Sequence, residues 1–565
     1  MTDLSRKTFS ARLRLMAAPL LLLGLCLAAY GNSLHNGFMM DDQGLLVNNP
    51  AIHDPGFFQM NFLFQDARVP GGEYAYFRPL PHWLYTVTWS AFGSDVFYYH
   101  AINLLLFYLC CCALYDFVRI LFGDVRLALL TAVIFCLHPV NGLLVNYITA
   151  IGFSAMILAM LLGMLAHLKA PLWGIPVSLL CFLAALLCHE TAVMFPVYLA
   201  AVLYFSKQHS LKSIFLRLIP SGVLLLAYLI FRMQYASLET SVLGNIGKFG
   251  ISVMGYVTML ADQIAFYLGN IFLLKDIVLI RAAPFSPHPV FPIAVLLMLA
   301  AVLAGLLARF RRRDPKAFAA AWILAGLCPV ALAVFSRPSL GFIIQPHWLF
   351  FPTIGLFILA SNFLLTAQAR LGPKPWLAAV IAIAGILLLS TRQYNRLWGN
   401  EKAYCQYMLK LSPQMDLPHF WLAHAYLNER NYPQAREHFL RSLLGTPRDW
   451  EVYGNLGVIE FEQQNYDRAM AYFDKAVELN PVGADSYYNI GLIYKMRGNP
   501  TGAETFLKKS LELNYYLSEA RMTLAQIYID SGRADEAANL LSENLKINPD
   551  DRGSRLMLRY LGNSP

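Results

Sequence analysis

The chain has 565 residues and a formal net charge of +9, with 57% hydrophobic residues and only 14% charged residues. Because soluble domains carry about 25% charged residues, this composition excludes a wholly soluble protein. The basic residues are spread over loop ends, notably 309–316 (RFRRRDPK), which indicates membrane orientation rather than nucleic-acid binding.

Long apolar runs recur between residues 11 and 391, each close to the length of about 20 residues that a helix needs to cross a membrane. The sequence therefore predicts a polytopic helical membrane domain over 1–392. Its eleven predicted spans are 13–31, 97–119, 125–140, 143–168, 172–188, 190–206, 213–231, 291–309, 317–336, 347–366 and 375–391.

The basic loops fall on one side of this topology, which predicts a cytoplasmic N-terminus and an uncleaved first span. The segment 250–273 is apolar but carries Asp262 near its middle, and a charge is costly in hydrocarbon. We therefore expect an interfacial or re-entrant helix there, on the outer side. Eleven spans then place the C-terminal part of the chain on the same outer face as the loop 32–96.

The outer loop 32–96 begins with the stretch YGNSLHNGFMMDD, which ends on the adjacent acids Asp41 and Asp42. A carboxylate can take a proton from an incoming hydroxyl, and Arg78 in the same loop can bind a phosphate through its planar donors. Together they predict group transfer from a lipid-linked phosphate donor. The competing interpretation is that the acids are solvated or cap a helix.

Other polar residues are predicted on the same outer rim as candidates for binding the donor phosphate. They are His138, His189, Glu190, Arg337 and His347. Each also fits a helix-end residue at the headgroup level. Tyr74, Tyr76 and Trp83 fit either sugar stacking or interfacial anchoring.

The C-terminal part repeats with a period of 34 residues, seen in the series Ala435, Ala469, Ala503 and Ala537. This period is typical of the tetratricopeptide repeat, a pair of packed helices. We predict a connecting helix over 393–416, four repeats over 417–552 and a tail over 553–565. The repeats should offer a protein-binding groove. Asn455 and Asn489 occupy equivalent positions and are candidates for contacting an acceptor peptide, although asparagine is also common at this position.

The nine cysteines show no disulfide framework, and the run 110–112 (CCC) has no partner His or Cys at the spacing of a metal site. Eight of the nine lie in or beside apolar runs. Buried cysteines commonly act as small hydrophobic residues, so a structural role is predicted for them.

Several blocks make the chain resemble the transmembrane and tetratricopeptide-repeat protein O-mannosyltransferases and their bacterial relatives, within the GT-C class of membrane glycosyltransferases. The blocks occur in the family's order. They are 30–42 (YGNSLHNGFMMDD), 77–80 (FRPL), 138–148 (HPVNGLLVNYI), 189–191 (HET) and 347–355 (HWLFFPTIG).

The resemblance implies transfer of a sugar from a polyprenyl-phosphate carrier to a Ser/Thr hydroxyl of an exported protein that the repeats bind. It places the base at Asp41 or Asp42, with a slight preference for Asp41, and implies inversion at the anomeric carbon. Neither a metal nor another cofactor is expected. A bacterial inner membrane is the expected location, with the repeats in the periplasm.

At several positions where the family has charged residues, this chain has uncharged residues or histidine. Leu143, Ile151 and Phe153 stand where the family has a glutamate, an arginine and a nearby acid; His189 replaces a lysine and His347 an arginine. These replacements favour a second hypothesis, a membrane-anchored scaffold without transferase activity that recruits envelope proteins. A transporter or flippase is disfavoured because the spans carry almost no ionisable residues.

Overall fold

The structure is a computed structural model. It describes residues 3–53, 78–170, 173–235, 253–283, 290–333, 342–344, 349–446, 449–548 and 551–562. The described part is almost wholly helical, which confirms the predicted fold class. One short antiparallel pair of strands, Arg281–Ala283 and Phe342–Ile344, pairs Arg281 with Ile344.

The chain divides into two compact units. The first contains the described residues within 1–42, 77–84 and 91–412; the second contains those within 43–76, 85–90 and 413–565. The helix Pro79–Phe92 has residues in both units. The second unit also contains the short helical segments Gln43–Val47 and Pro50–His53.

Long apolar helices make up the first unit. Its main helices are Asp3–Tyr30, Val96–Phe122, Val125–Leu137, Leu143–Asn146, Ile151–Lys169, Gly174–Cys188, Phe195–Phe205, Leu211–Tyr235, Val253–Phe272, Val290–Leu307, Pro315–Ala333, Phe350–Leu371, Pro373–Leu397 and Glu401–Leu411. Short helical turns lie at Gly31–Ser33, Pro139–Gly142, Ile148–Ala150, Glu190–Met194 and Phe310–Arg312.

The prediction of eleven spans is too high by the criteria of length and hydropathy. Among the described residues, six helices are long and apolar enough to cross a membrane, or seven if one bent pair is a single span. The predicted spans 172–188, 190–206 and 317–336 correspond to shorter apolar helices, Gly174–Cys188, Glu190–Phe205 and Pro315–Pro329. The first unit is nevertheless that of a multi-pass membrane protein.

The bent pair also corrects a predicted boundary. The helix Val125–Leu137 stops at His138, and the chain turns by 57° into Pro139–Asn146. Proline has no backbone N–H and disfavours helix in the residue before it, so the helix breaks at Pro139. The next span starts at Ile148 rather than at residue 143, and residues 138–148 form a folded segment that joins the helix Val125–Leu137 to it.

Nine helices follow in the described residues from 413 to 562, and the first eight are paired as the 34-residue period predicts. They are Asp416–Asn428, Tyr432–Ser442, Trp450–Glu462, Tyr466–Leu479, Ala484–Met496, Pro500–Leu513, Ser518–Asp530, Ala534–Ile547 and Arg552–Gly562. The last of these covers most of the segment described above as a tail, and its Met557, Leu558 and Leu561 pack on the core of the final repeat.

Small residues allow the two helices of a repeat to approach closely. Ala435, Ala469, Ala503 and Ala537 are all fully buried. A Cβ added at Gly457 would lie 2.6 Å from the ring of Phe473, and one at Gly491 would lie 2.9 Å from Leu507. The repeated small residues therefore mark the tight helix contacts of the solenoid.

Candidate functional site

The adjacent acids follow the first membrane helix, in a turn formed by residues 39–42. The backbone N–H of Asp42 donates to the carbonyl of Met39 at 3.0 Å. Met40 has a φ of 55°, a left-handed conformation that costs a non-glycine residue about 1 kcal/mol or more. The surrounding contacts must hold this turn against that cost.

Asp42 is buried and holds the turn. Only 1% of its surface is exposed. The backbone N–H of Met39 donates to its Oδ2 and that of Thr149 donates to its Oδ1, both at 3.1 Å. Burial raises the pKa of Asp42 to about 8, because removal from water penalises the charged carboxylate. Asp42 thus ties the turn to the segment that precedes the helix Ile151–Lys169.

Asp41 has the opposite environment. Its side chain is exposed, and the hydroxyl of Tyr147 donates a hydrogen bond of 2.8 Å to its Oδ2. Tyr147 is itself only 8% exposed, and its ring packs against Trp398 with 5.6 Å between ring centres. A rigid tyrosine therefore orients an accessible carboxylate, the arrangement that a general base requires.

Glu401 is the third acid at this turn, and the sequence does not predict its position there. The backbone N–H of Met40 donates to Oε1 of Glu401 at 2.8 Å. Burial raises the pKa of Glu401, although the bond from Met40 opposes the rise. Glu401 follows the last span directly, and no motif in the sequence connects it with residue 40.

Four asparagines fasten the elements that carry these acids. Nδ2 of Asn146 donates to Oδ1 of Asn395 at 2.7 Å, and Nδ2 of Asn395 donates to the carbonyl of Ala29 at 2.9 Å. Nδ2 of Asn395 also donates to Oδ1 of Asn32, and Nδ2 of Asn36 donates to Oδ1 of Asn146. Satisfied buried amides specify a single arrangement, so the end of the first span, the segment 138–148 and the last span are fixed together.

Arg78 is paired with Glu190. Its Nη2 lies 2.6 Å from Oε1 of Glu190, and its Nε lies 3.0 Å from Oε2. Nε2 of His189 lies 3.6 Å from the same carboxylate. Three of the predicted donor-site residues therefore meet, but a carboxylate already occupies the phosphate-binding fork of Arg78.

His138 has other hydrogen-bond partners than this group. It is 3% exposed, its Nε2 lies 2.9 Å from the carbonyl of Ile271, and its Nδ1 accepts from the backbone N–H of Val140. Both ring nitrogens are thus used in connecting helix ends. The replaced family positions Leu143, Ile151 and Phe153 are buried apolar side chains. Arg337, His347, Tyr74 and Tyr76 lie outside the described residues.

Asn455 and Asn489 occupy matching places in the repeats. Each side-chain amide donates to the carbonyl four residues earlier, that of Glu451 at 2.8 Å and that of Asp485 at 2.9 Å. Asn455 also lies 3.4 Å from Nε2 of His424. Both asparagines are half-buried, and their contact with an acceptor stays a prediction, as does the absence of a catalytic metal.

Comparison with protein-family models agrees with the repeats. Three family models, each described as a tetratricopeptide repeat, match residues 422–484, 472–505 and 496–559. Among solved structures, PilF of Pseudomonas aeruginosa is 22% identical with a TM-score of 0.27, covering 28% of this chain and 73% of PilF. A thermophilic tetratricopeptide-repeat protein of Thermus thermophilus is 27% identical with a TM-score of 0.26, covering 29% and 92%. The fold and the family models define a multi-pass membrane protein with C-terminal tetratricopeptide repeats.

Curated relatives extend the similarity to the membrane unit. Human protein O-mannosyl-transferase TMTC1 is 30% identical over 158 residues, which cover 27% of this chain and 18% of the relative. Human protein O-mannosyl-transferase TMTC3 is 21% identical over 498 residues, which cover 77% of this chain and 52% of the relative. The matches thus span at most about half of these relatives. The predicted similarity to the transmembrane and tetratricopeptide-repeat O-mannosyltransferases is confirmed.

Proposed function

We propose that this protein is a GT-C-type membrane glycosyltransferase that moves a sugar from a polyprenyl-phosphate carrier to a Ser/Thr hydroxyl of an exported protein. One observation carries the proposal. Of two adjacent acids beyond the first span, Asp41 is exposed and oriented by the Tyr147 hydroxyl at 2.8 Å, whereas Asp42 is buried in two backbone hydrogen bonds. We therefore assign the base to Asp41 and a structural role to Asp42.

In the proposed reaction, Asp41 takes the proton of the acceptor hydroxyl while the oxygen attacks the anomeric carbon. The new bond between the oxygen and the anomeric carbon forms as the bond to the donor phosphate breaks, and the polyprenyl phosphate leaves with the electron pair. Direct displacement inverts the anomeric configuration. Tyr147 keeps the carboxylate in position, which favours proton transfer over a fixed short distance.

Arg78 is proposed to stabilise the negative charge that develops on the donor phosphate. Glu190 is 41% exposed, so its carboxylate can move into solvent when a phosphate oxygen takes its place on the guanidinium. His189 lies beside the same pair, and Arg337 and His347 remain candidates for the same role. We leave His138 out of the proposed donor site, because both of its ring nitrogens already bond to backbone groups.

The proposed location is a bacterial inner membrane. The N-terminus would lie in the cytoplasm, and the amphipathic helix Val253–Phe272 would lie at the outer interface. The repeats would then be periplasmic and would bind the polypeptide acceptor, raising its local concentration at the membrane.

A scaffold without transferase activity is the second candidate. The observation that favours it is the pairing of Arg78 with Glu190, together with the buried apolar side chains at Leu143, Ile151 and Phe153 where the family has charges. Both features lower the positive potential available to a donor phosphate.

The test compares exported proteins from a deletion strain that carries wild type, Asp41→Asn or the control Asp95→Asn, at matched membrane expression. Asp95 caps the helix Val96–Phe122 by accepting from the N–H of Phe97, and asparagine caps equally well. We expect a hexose-sized or larger mass increment with wild type and with Asp95→Asn. Losing a base typically lowers the rate about 10²–10⁴-fold, so the increment should vanish with Asp41→Asn.

A mass increment that persists at wild-type level in Asp41→Asn would remove Asp41 from the reaction. If no exported protein changes mass in any strain, while the deletion still causes an envelope defect, the scaffold replaces the transferase.

A further inference from the structure

Three cysteines from three different membrane helices meet in the interior of the first unit. Cys26 lies in Asp3–Tyr30, Cys111 in Val96–Phe122 and Cys136 in Val125–Leu137. Their sulfur atoms all lie within 4.8 Å of one another, and Sγ of Cys26 lies 3.4 Å from Sγ of Cys136. None of the three side chains is exposed.

The cluster could not be seen in the sequence, where the run 110–112 lacks a metal-site partner at close spacing. Its partners lie on other helices, and Cys26 and Cys136 are 110 residues apart. The neighbours of Cys111 are not members of the group. Sγ of Cys110 donates to the carbonyl of Ser154 at 3.2 Å, and Cys112 is only partly buried.

Three sulfur ligands in one place select a soft metal ion. With a metal–thiolate bond of about 2.3 Å, a planar three-coordinate site has sulfur–sulfur distances of about 4 Å. The sulfur–sulfur distances in the structure run from 3.4 Å to at most 4.8 Å, on both sides of this value. Small side-chain adjustments are therefore enough for all three sulfurs to reach one metal ion. We propose that Cys26, Cys111 and Cys136 bind one Cu(I) ion.

The number of ligands decides between copper and zinc. Structural zinc sites are almost always four-coordinate. Among the residues that the structure describes, no further His, Cys, Asp or Glu joins the three sulfurs. A three-sulfur set without a fourth protein ligand suits Cu(I) better, since soft thiolates favour it and tetrahedral geometry is not required.

The surroundings keep the cluster rigid and dry. The Tyr30 hydroxyl donates to the backbone carbonyl of Cys136 at 3.2 Å. The Tyr30 ring packs edge-on against Phe107, which in turn stacks on Phe135. These side chains are buried, so they exclude the water that would stabilise Cu(II), and they hold the helices that carry the ligands.

Binding must release protons, because the thiolate rather than the thiol is the metal ligand. Each Cys that binds as a thiolate gives its S–H proton to solvent as its S–Cu bond forms, and a single thiolate neutralises the charge of Cu(I), which a dry interior favours; neither copper nor sulfur changes oxidation state. Affinity for Cu(I) should therefore increase with pH.

The experiment uses the full-length protein, purified in detergent from cells grown with added copper. Elemental analysis gives the copper content, and competition with a Cu(I) chelator gives the affinity. We expect one copper per chain in wild type, bound by sulfur alone in X-ray absorption spectra. Cys26→Ser, Cys111→Ser and Cys136→Ser should each weaken binding by about tenfold or more. The matched controls Cys110→Ser and Cys188→Ser replace buried cysteines outside the cluster and should bind like wild type.

Three results would overturn the proposal: wild type without bound copper, equal copper binding in cluster and control variants, or zinc in a site with a fourth ligand. Where a serine variant does not fold, the X-ray absorption spectrum of wild type still tests which atoms bind the copper. Oxygen or nitrogen ligands in that spectrum would contradict the three-cysteine assignment.

Discussion

Asp41 and Asp42 are consecutive residues with different surroundings. Asp42 accepts two backbone N–H groups in the interior, whereas Asp41 accepts from a tyrosine hydroxyl and faces solvent. Burial raises the affinity of the Asp42 carboxyl group for a proton, and with it the pKa. The pair therefore suits one structural acid and one reactive acid better than two equivalent ones.

Asp42 makes stability depend on pH. Its native pKa of about 8 lies above the ordinary value of 3.8, so the native state keeps a proton that the unfolded chain has released. The free energy of unfolding should fall as pH rises from about 4 to about 8, then level off. Thermal unfolding of the solubilised protein across this range measures the effect.

The variant Asp42→Asn isolates this contribution. Its amide cannot accept from both the Met39 and the Thr149 N–H, so the variant should be less stable at every pH by about 1–3 kcal/mol. The midpoint of its thermal unfolding should nevertheless change less with pH than the midpoint of wild type. If Asp42→Asn keeps the wild-type slope, another group titrates.

A residue of the candidate site could be predicted from the sequence only where it lies in a recognisable motif. The acids follow the first apolar run, and Tyr147 lies in the block 138–148, which the resemblance includes. The hydrogen bonds themselves join residues 106 and 361 positions apart, Asp41 with Tyr147 and Met40 with Glu401. One sequence contains no signal for such distant pairs, and Glu401 has no motif at all.

At the scale of elements, the period of 34 residues predicts the paired helices of the repeats because every unit buries the same small positions. The membrane helices are less predictable. Apolar composition locates them, but Pro139 breaks one of them, and three others are shorter than a span. Length and hydropathy in the structure therefore support fewer spans than the apolar runs suggest.

Two glycines in the helix Trp450–Glu462 test the packing of the repeats. A Cβ at Gly457 would lie 2.6 Å from Phe473, whereas one at Gly454 would lie 3.9 Å from Oγ of Ser486. Overpacking costs about 1–3 kcal/mol, while alanine in a helix gains up to about 1 kcal/mol over glycine. Gly457→Ala should thus destabilise the repeats, and Gly454→Ala should leave them equally or more stable.

Hydrogen exchange of the full-length protein measures both effects in the helices Trp450–Glu462 and Tyr466–Leu479. Faster exchange in Gly457→Ala alone agrees with the tight contact. Equal exchange in the two variants would mean that Phe473 moves aside without cost.

For the molecule as a whole, the proposed division of labour assigns chemistry to the first unit and acceptor binding to the second. The double variant Asn455→Ala/Asn489→Ala removes two amides that are proposed to hold the acceptor backbone. At about 1 kcal/mol for each of the two lost hydrogen bonds, KM for a protein acceptor should rise about thirtyfold with kcat unchanged.

Transfer assays with a protein acceptor and with a short Ser/Thr peptide separate binding from chemistry. The short peptide should show the same KM with wild type and the double variant, and the exposed Asn428→Ala should behave like wild type with both acceptors. A fall in kcat with an unchanged KM would instead assign the asparagines a part in folding.

The bond between Met40 and Glu401 determines where the chain can be divided by genetic engineering. Glu401 lies beyond the last span, at the start of Glu401–Leu411, yet it supports the left-handed turn next to Asp41. A chimera that joins foreign repeats at residue 392 would remove this support and would alter the turn next to Asp41 for a reason unrelated to acceptor choice. A junction after Ser412, where the first unit ends, retains Glu401 and its bond to Met40, so the turn next to Asp41 keeps the same support in the chimera as in wild type.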